Sequence, residues 1–128
     1  NVKSRAIHQE INKVRIKFES VEFASNSSKI LPEMRDDLNK LVDFLLDHPD
    51  KKLKIGGHTD SQGNPELNNR LSQSRADAIK DYIIRKGKID PERIIAIGYG
   101  SSKPIIEDEK TEEDRRINRR VEFEILRK

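Results

Sequence analysis

The segment GGHTDSQGNPELNNRLSQSRADAI, Gly56 to Ile79, carries an imidazole, a carboxylate and a guanidinium close together along the chain. Its second half reads as helix. Counting by fours along that helix gives Leu67, Leu71, Arg75 and Ile79. The three apolar members belong against a core, and the fourth is a permanent cation. A guanidinium inside an apolar stripe must snorkel, pair with a carboxylate, or wait for an anionic ligand. Asp60 ends the strand-like run KLKIGGHTD, and the turn SQGN joins that run to the helix. Strand and helix pack antiparallel in such a unit, so Arg75, about three turns in, comes level with the strand end. Acid and base then flank one crevice at the carboxyl end of a strand, where open α/β sheets bind ligands. Held slightly apart, they form a receptor for a zwitterion. The aspartate takes an ammonium, and the arginine grips a carboxylate with two prongs. Held together, they are an internal salt bridge of a structural or protein-interaction domain.

Other chemistries fit the sequence less well. His58 and Asp60 have a spacing that can serve a metal, but no third ligand is nearby, and His8 and His48 lie in unrelated segments. No metal and no cofactor is expected. The chain has no cysteine, which excludes disulfides, thiol nucleophiles and thiolate metal sites. No serine lies in a nucleophile-elbow context. Gly56, Gly57 and Gly63 match neither the P-loop nor the dinucleotide fingerprint, so turn geometry is their expected role. Lys and Arg exceed Asp and Glu by 26 to 23, a net charge of +3. That excess permits an anionic partner without pointing to nucleic acid. The expectation is a binding module rather than an enzyme.

The elements that must position these residues follow from periodicity. At 128 residues the chain is one domain's worth, with a lean core: 33% hydrophobic against 38% charged. Val14, Ile16 and Phe18 alternate with charges as a first strand, and ASNSS, residues 24–28, is a polar turn. Met34, Leu38, Leu41, Val42, Leu45 and Leu46 have helical spacing between Pro32, which suits the first helical position, and Pro49, which stops the helix. Leu53 and Ile55 mark a second strand. The second helix starts with Asn64 as cap and Pro65 as first residue and ends near Gly87; Ser72 is an internal cap if that helix is broken in two. RIIAIGYG is a third strand, TEEDRRIN a short helix capped by Thr111, and RVEFEIL a fourth strand. The expected fold is α+β: a two-layer α/β sandwich, β-α-β-α-β-(α)-β, with a mixed four-stranded sheet and helices on one face. Residues 1–13 read as a linker and 14–128 as the domain. The chain begins at Asn1 and reads as an excised or processed piece, with any targeting segment or membrane anchor outside it.

Three blocks together, GHTDSQGNPELNNRLSQSRADAIKDYIIRKG, then RIIAIGYGSSKPI, then NRRVEFEI, occur in order at suitable spacings. In them the chain resembles the OmpA-like C-terminal domain, the family of the OmpA carboxyl-terminal domain, the Pal lipoprotein and the MotB stator anchor. The resemblance runs from about Val14 to Ile125. It implies non-covalent binding of peptidoglycan in the periplasm, anchoring an outer-membrane or envelope protein to the cell wall through a segment outside this chain. It also implies that Asp60 of the TD pair and Arg75 of LSxxRA hold the free amino acid centre of meso-diaminopimelate in the stem peptide. Secondary contacts are implied for the loop after the first strand, Phe23 to Asn26, for Thr59, Asn68 and Leu71 within the same blocks, and for the NRR segment, Asn118 to Arg120. There Arg119 shares the parity of Val121 and Phe123 and is favoured over Arg120. Some members dimerise, so a homodimer is among the implied partners. Two departures stand out. Ala24 and Ser25 replace the acidic residues many members carry after the first strand. Asp114 and Arg115 stand where a Gly-Arg pair is common.

Overall fold

The structure is a computed structural model that describes residues 15–17, 23–24 and 26–127. Along the chain run β1 (Arg15–Lys17), α1 (Arg35–Asp47), β2 (Lys51–His58), α2 (Pro65–Gly87), β3 (Ile94–Gly100), α3 (Glu112–Asn118) and β4 (Arg120–Arg127). Short 3-10 turns lead into α1 and β3. The sheet is four-stranded in the order β1-β4-β2-β3, with three long strands and β1 as a short edge. It is mixed: β2 runs parallel to β3 and antiparallel to β4, and β1 is antiparallel to β4. This is the α+β sandwich expected from the sequence. The linker expected over residues 1–13, the strand positions Val14 and Phe18, and Ser25 lie outside the described residues.

Alternation builds the sheet's inner face. Leu53 sits opposite Ile125 and Ile55 opposite Phe123, all buried, while Lys54 pairs in register with Glu124 on the outer face. Against that inner face pack Met34, Leu38, Leu41, Val42 and Leu45 from the α1 side, and Ala76, Ile79 and Ile83 from α2. Fully burying one such side chain contributes about 1.5–3 kcal/mol, so a short list of large residues suffices for a lean chain. Two expected core positions are not in the core. Leu46 is 54% exposed and Leu67 is 60% exposed. Leu46 lies one 100° step past the α1 stripe. Leu67 is in the first turn of α2, beyond the ends of the strands.

Two glycines set how close α2 comes to the sheet. Gly57 and Gly98 are direct partners across β2 and β3. A Cβ on Gly57 would lie 2.5 Å from the Ser72 carbonyl oxygen, and one on Gly98 would lie within 2.5 Å of the Gln73 backbone. The paired glycines form a notch in which α2 rests at Ser72–Gln73. Ser72 is therefore no internal cap: α2 is continuous, and the buried Ser72 hydroxyl accepts from Gly100 N–H at 2.9 Å. Gln73 completes the free edge of β3, accepting from Gly98 N–H at 2.8 Å and donating to Ala96 O at 3.0 Å. The turn role expected for all three early glycines holds only at Gly63, with φ +87°. Gly56 and Gly57 are inside β2. At the far end of α2, Lys88 rather than Gly87 takes the left-handed conformation, at φ 52°. Gly87 is there because a Cβ would meet Val42 at 2.8 Å.

One buried cation fastens α1 to β2. Arg93 donates to Lys51 O, Leu45 O and His48 O at 2.8–2.9 Å. Two of those carbonyls are at the end of α1, where the helix dipole favours a cation. Arg93→Ala is expected to cost about 3 kcal/mol, because buried acceptors lose a charged donor. A urea denaturation series checks this, with an unchanged midpoint as the contrary result.

Candidate functional site

The site begins where β2 ends. Past His58 the chain turns away from the sheet. Thr59 is buried, its N–H donating to Gly100 O at 2.8 Å and its hydroxyl to Asp60 O at 2.9 Å. Asp60 follows, half-buried, with Oδ1 accepting from Gln62 N–H at 2.9 Å. Asn68, in α2, donates to Gln62 O at 2.9 Å and holds the loop against the helix. The Asn64 side chain accepts from Glu66 and Leu67 N–H, and Pro65 takes the first helical position, as the sequence indicated.

Arg75 is two to three residues past the α2 notch, and its side chain reaches out of the core rather than into it. Nε donates to Ser27 O at 2.9 Å and Nη2 to Ala24 O at 3.2 Å, and the guanidinium lies 5.1 Å from the Phe23 ring centroid. The loop it grips is a turn closed by Ser27 N–H to Ala24 O at 3.0 Å, with Asn26 left-handed at φ 55°. Contacts to backbone carbonyls do not need the acidic side chains that Ala24 and Ser25 replace. Burial lowers the Arg75 pKa, and the nearby Arg119 charge lowers it further. Both effects disfavour the cation, and the charge of an anion in the crevice would offset them. Among the described residues no carboxylate pairs with Arg75.

Asp60 pairs instead with Arg119. Nη1 of Arg119 donates to Asp60 Oδ2 at 2.7 Å, and Nη2 donates to Glu112 Oε1. Those bonds, Glu112 first, raise the Arg119 pKa. The internal Asp60–Arg75 bridge considered from the sequence is thus not the arrangement found. Arg75 is occupied by loop carbonyls, and its free edge faces a crevice on whose other side stand Asp60 and Arg119. Arg120 turns to the outer face of the sheet, where it meets Glu122 at 2.6 Å and donates to Lys103 O at 2.9 Å. His58 is a strand-end residue stacked 5.2 Å from Tyr99, with Nε2 3.6 Å from Glu122. Among the described residues no cluster of His, Asp and Glu could hold a metal ion.

The crevice measures about 860 Å³, and Asn26, Thr59, Asp60, Asn68, Leu71, Arg75 and Arg119 all line it. Leu71 gives it an apolar wall, and Phe23 backs the guanidinium. A model of the OmpA family matches residues 22–119. The chain belongs to the OmpA family. It is 39% identical over 112 residues to outer membrane porin F of Pseudomonas fluorescens, covering 88% of this chain and 33% of that protein. It is 38% identical over 91 residues to the peptidoglycan-associated lipoprotein of Buchnera aphidicola, covering 71% of this chain and 52% of that protein. Among solved structures, a MotB-like protein from Desulfovibrio vulgaris has the same fold, with a TM-score of 0.78 at 23% identity, covering 99% of this chain and 96% of that one. The chain spans about a third of the porin F length.

Within this OmpA-family domain, Glu109 and Glu112 are residues the sequence did not single out, and Asn118 of the NRR segment supports the site from behind. The fully buried Asn118 accepts from Ile105 and Ile106 N–H at 2.8 and 2.9 Å. Asp114 and Arg115 stand where a Gly-Arg pair is common, yet α3 starts normally. Asp114 and Thr111 form a capping box, with Asp114 N–H to the Thr111 hydroxyl at 3.1 Å.

Proposed function

We propose that this domain binds peptidoglycan non-covalently and anchors a larger envelope protein, in the periplasm, to the cell wall. The ligand is the free amino acid centre of diaminopimelate in the stem peptide. Its carboxylate docks on the open edge of Arg75, and its ammonium meets Asp60. The observation that carries this reading is Arg75 itself: a half-buried guanidinium with no carboxylate partner among the described residues, facing an aspartate across a crevice. Nε and one Nη2 donor are spent on the loop, which leaves the Nη1 side for a carboxylate. Asp60 retains acceptor capacity beside Arg119, because each carboxylate oxygen can take a further donor. Relatives named for association with or binding of peptidoglycan support the wall as the partner.

Each charge-assisted contact contributes roughly 1.5–3 kcal/mol, so a single domain binds modestly and attachment rests on many copies along one polymer. The test compares soluble stem peptides. One carries diaminopimelate, and the other carries lysine, which has the ammonium but lacks the carboxylate Arg75 would grip. Calorimetry is expected to find the lysine peptide at least about tenfold weaker. Equal affinities would remove the carboxylate role from Arg75.

A further inference from the structure

The loop carrying Asp60 is tied from a second side, by a residue distant in sequence. Both carboxylate oxygens of Glu109 are 3.2 Å from Ser61 N, and the Ser61 hydroxyl donates to Oε1 at 2.5 Å. Behind it, Asn118 Nδ2 donates to Oε2 of the same carboxylate at 2.5 Å. Asn118 is fully buried and clamps both backbone groups of Ile106, so this anchor cannot swing. Every partner of Glu109 in this set is a donor, which suits only an ionised carboxylate. Desolvation pushes its pKa up, but the bonds from Ser61 and Asn118 outweigh that and the net is a carboxyl held below its usual range.

We infer that Glu109, braced by Asn118, is the positioning residue of this site: by fixing Ser61 it sets where Asp60 stands relative to Arg75. This rests on the binding reading above. It assigns the loop between β3 and α3 a part in ligand binding without touching the ligand.

Glu109→Ala and Glu109→Gln in the full chain test it. For each, affinity for purified sacculi, the melting midpoint and the Ser61 amide resonance without ligand are measured. Glu109→Ala is expected to weaken binding about tenfold, as for one lost charge-assisted hydrogen bond, and to shift the Ser61 resonance while melting close to the parent. Glu109→Gln retains an acceptor for Ser61 and is expected to recover most of the binding. Parent-like binding by Glu109→Ala overturns the inference. If that variant does not fold, Ser61→Ala removes only the hydroxyl donor and is expected to weaken binding about threefold; parent-like binding then overturns it. Should the parent itself not bind sacculi, the functional reading fails. The tether is then judged on the Ser61 resonance alone, and an unmoved resonance overturns it.

Discussion

Arg75→Ala is expected to abolish retention of the domain on purified cell walls while leaving it folded. The loss has two sources. The ligand's carboxylate loses its cationic partner, and truncating one side of a partly buried, hydrogen-bonded charge pair costs about 2–5 kcal/mol, or more than about 30-fold in affinity. The turn at residues 24–27 also loses the donors that hold Ala24 O and Ser27 O, so the crevice wall opens. The fold should survive because Arg75 bonds to a surface turn, whereas its helical neighbours Ala76 and Ile79 carry the core contact. Arg75→Lys separates the two sources. A lysine keeps the charge but not the planar fork, so it cannot hold two carbonyls and a carboxylate together. It should bind more weakly than the parent and more strongly than the alanine variant. Co-sedimentation with sacculi, with circular dichroism as the folding control, reads both. Parent-like sedimentation of Arg75→Ala would mean that the crevice is not the binding site.

The fourfold count that exposed Arg75 made it anomalous, and the structure gives the anomaly its form. The stripe divides along α2. Ile79 is in the core, Leu71 and Arg75 line the crevice, and Leu67 stands exposed beyond the sheet. Period alone cannot locate that division, because it depends on where the strands stop beneath the helix. Asp60 was legible as a strand-end acid, and strand parity placed Arg119 on the helix side. Their pairing was not legible, since it depends on where the start of β4 brings Arg119 relative to the β2 loop. The Glu109–Ser61 contact spans 48 residues and obeys no spacing rule. The same holds for Arg93, which reads as one more surface cation until the end of α1 is brought over it.

The glycine notch was invisible for a related reason, and it supports the prediction with the largest effect on stability. Gly98→Ala is expected to destabilise the domain by about 3 kcal/mol or more. The added Cβ would meet the Gln73 backbone and lie 2.7 Å from Ser72 Oγ. Those neighbours are the helix backbone and a buried hydroxyl already committed to Gly100 N–H, so neither can swing aside as a flexible side chain would. Relief requires α2 to lift from the sheet. That movement would loosen the packing of Ala76, Ile79 and Ile83 and break the Gln73 bonds that close the edge of β3. It would also carry Arg75 away from the turn it holds, so the fraction still folded should bind cell walls less well than the parent. Gly56→Ala is the internal control. It lies in the neighbouring strand β2, and its Cβ would meet the Tyr99 and His58 side chains at 3.1–3.3 Å, on the outer face and away from α2. Denaturant titration of both variants should place Gly98→Ala well below Gly56→Ala. Equal midpoints would mean that the closeness of α2 to the sheet does not depend on this notch.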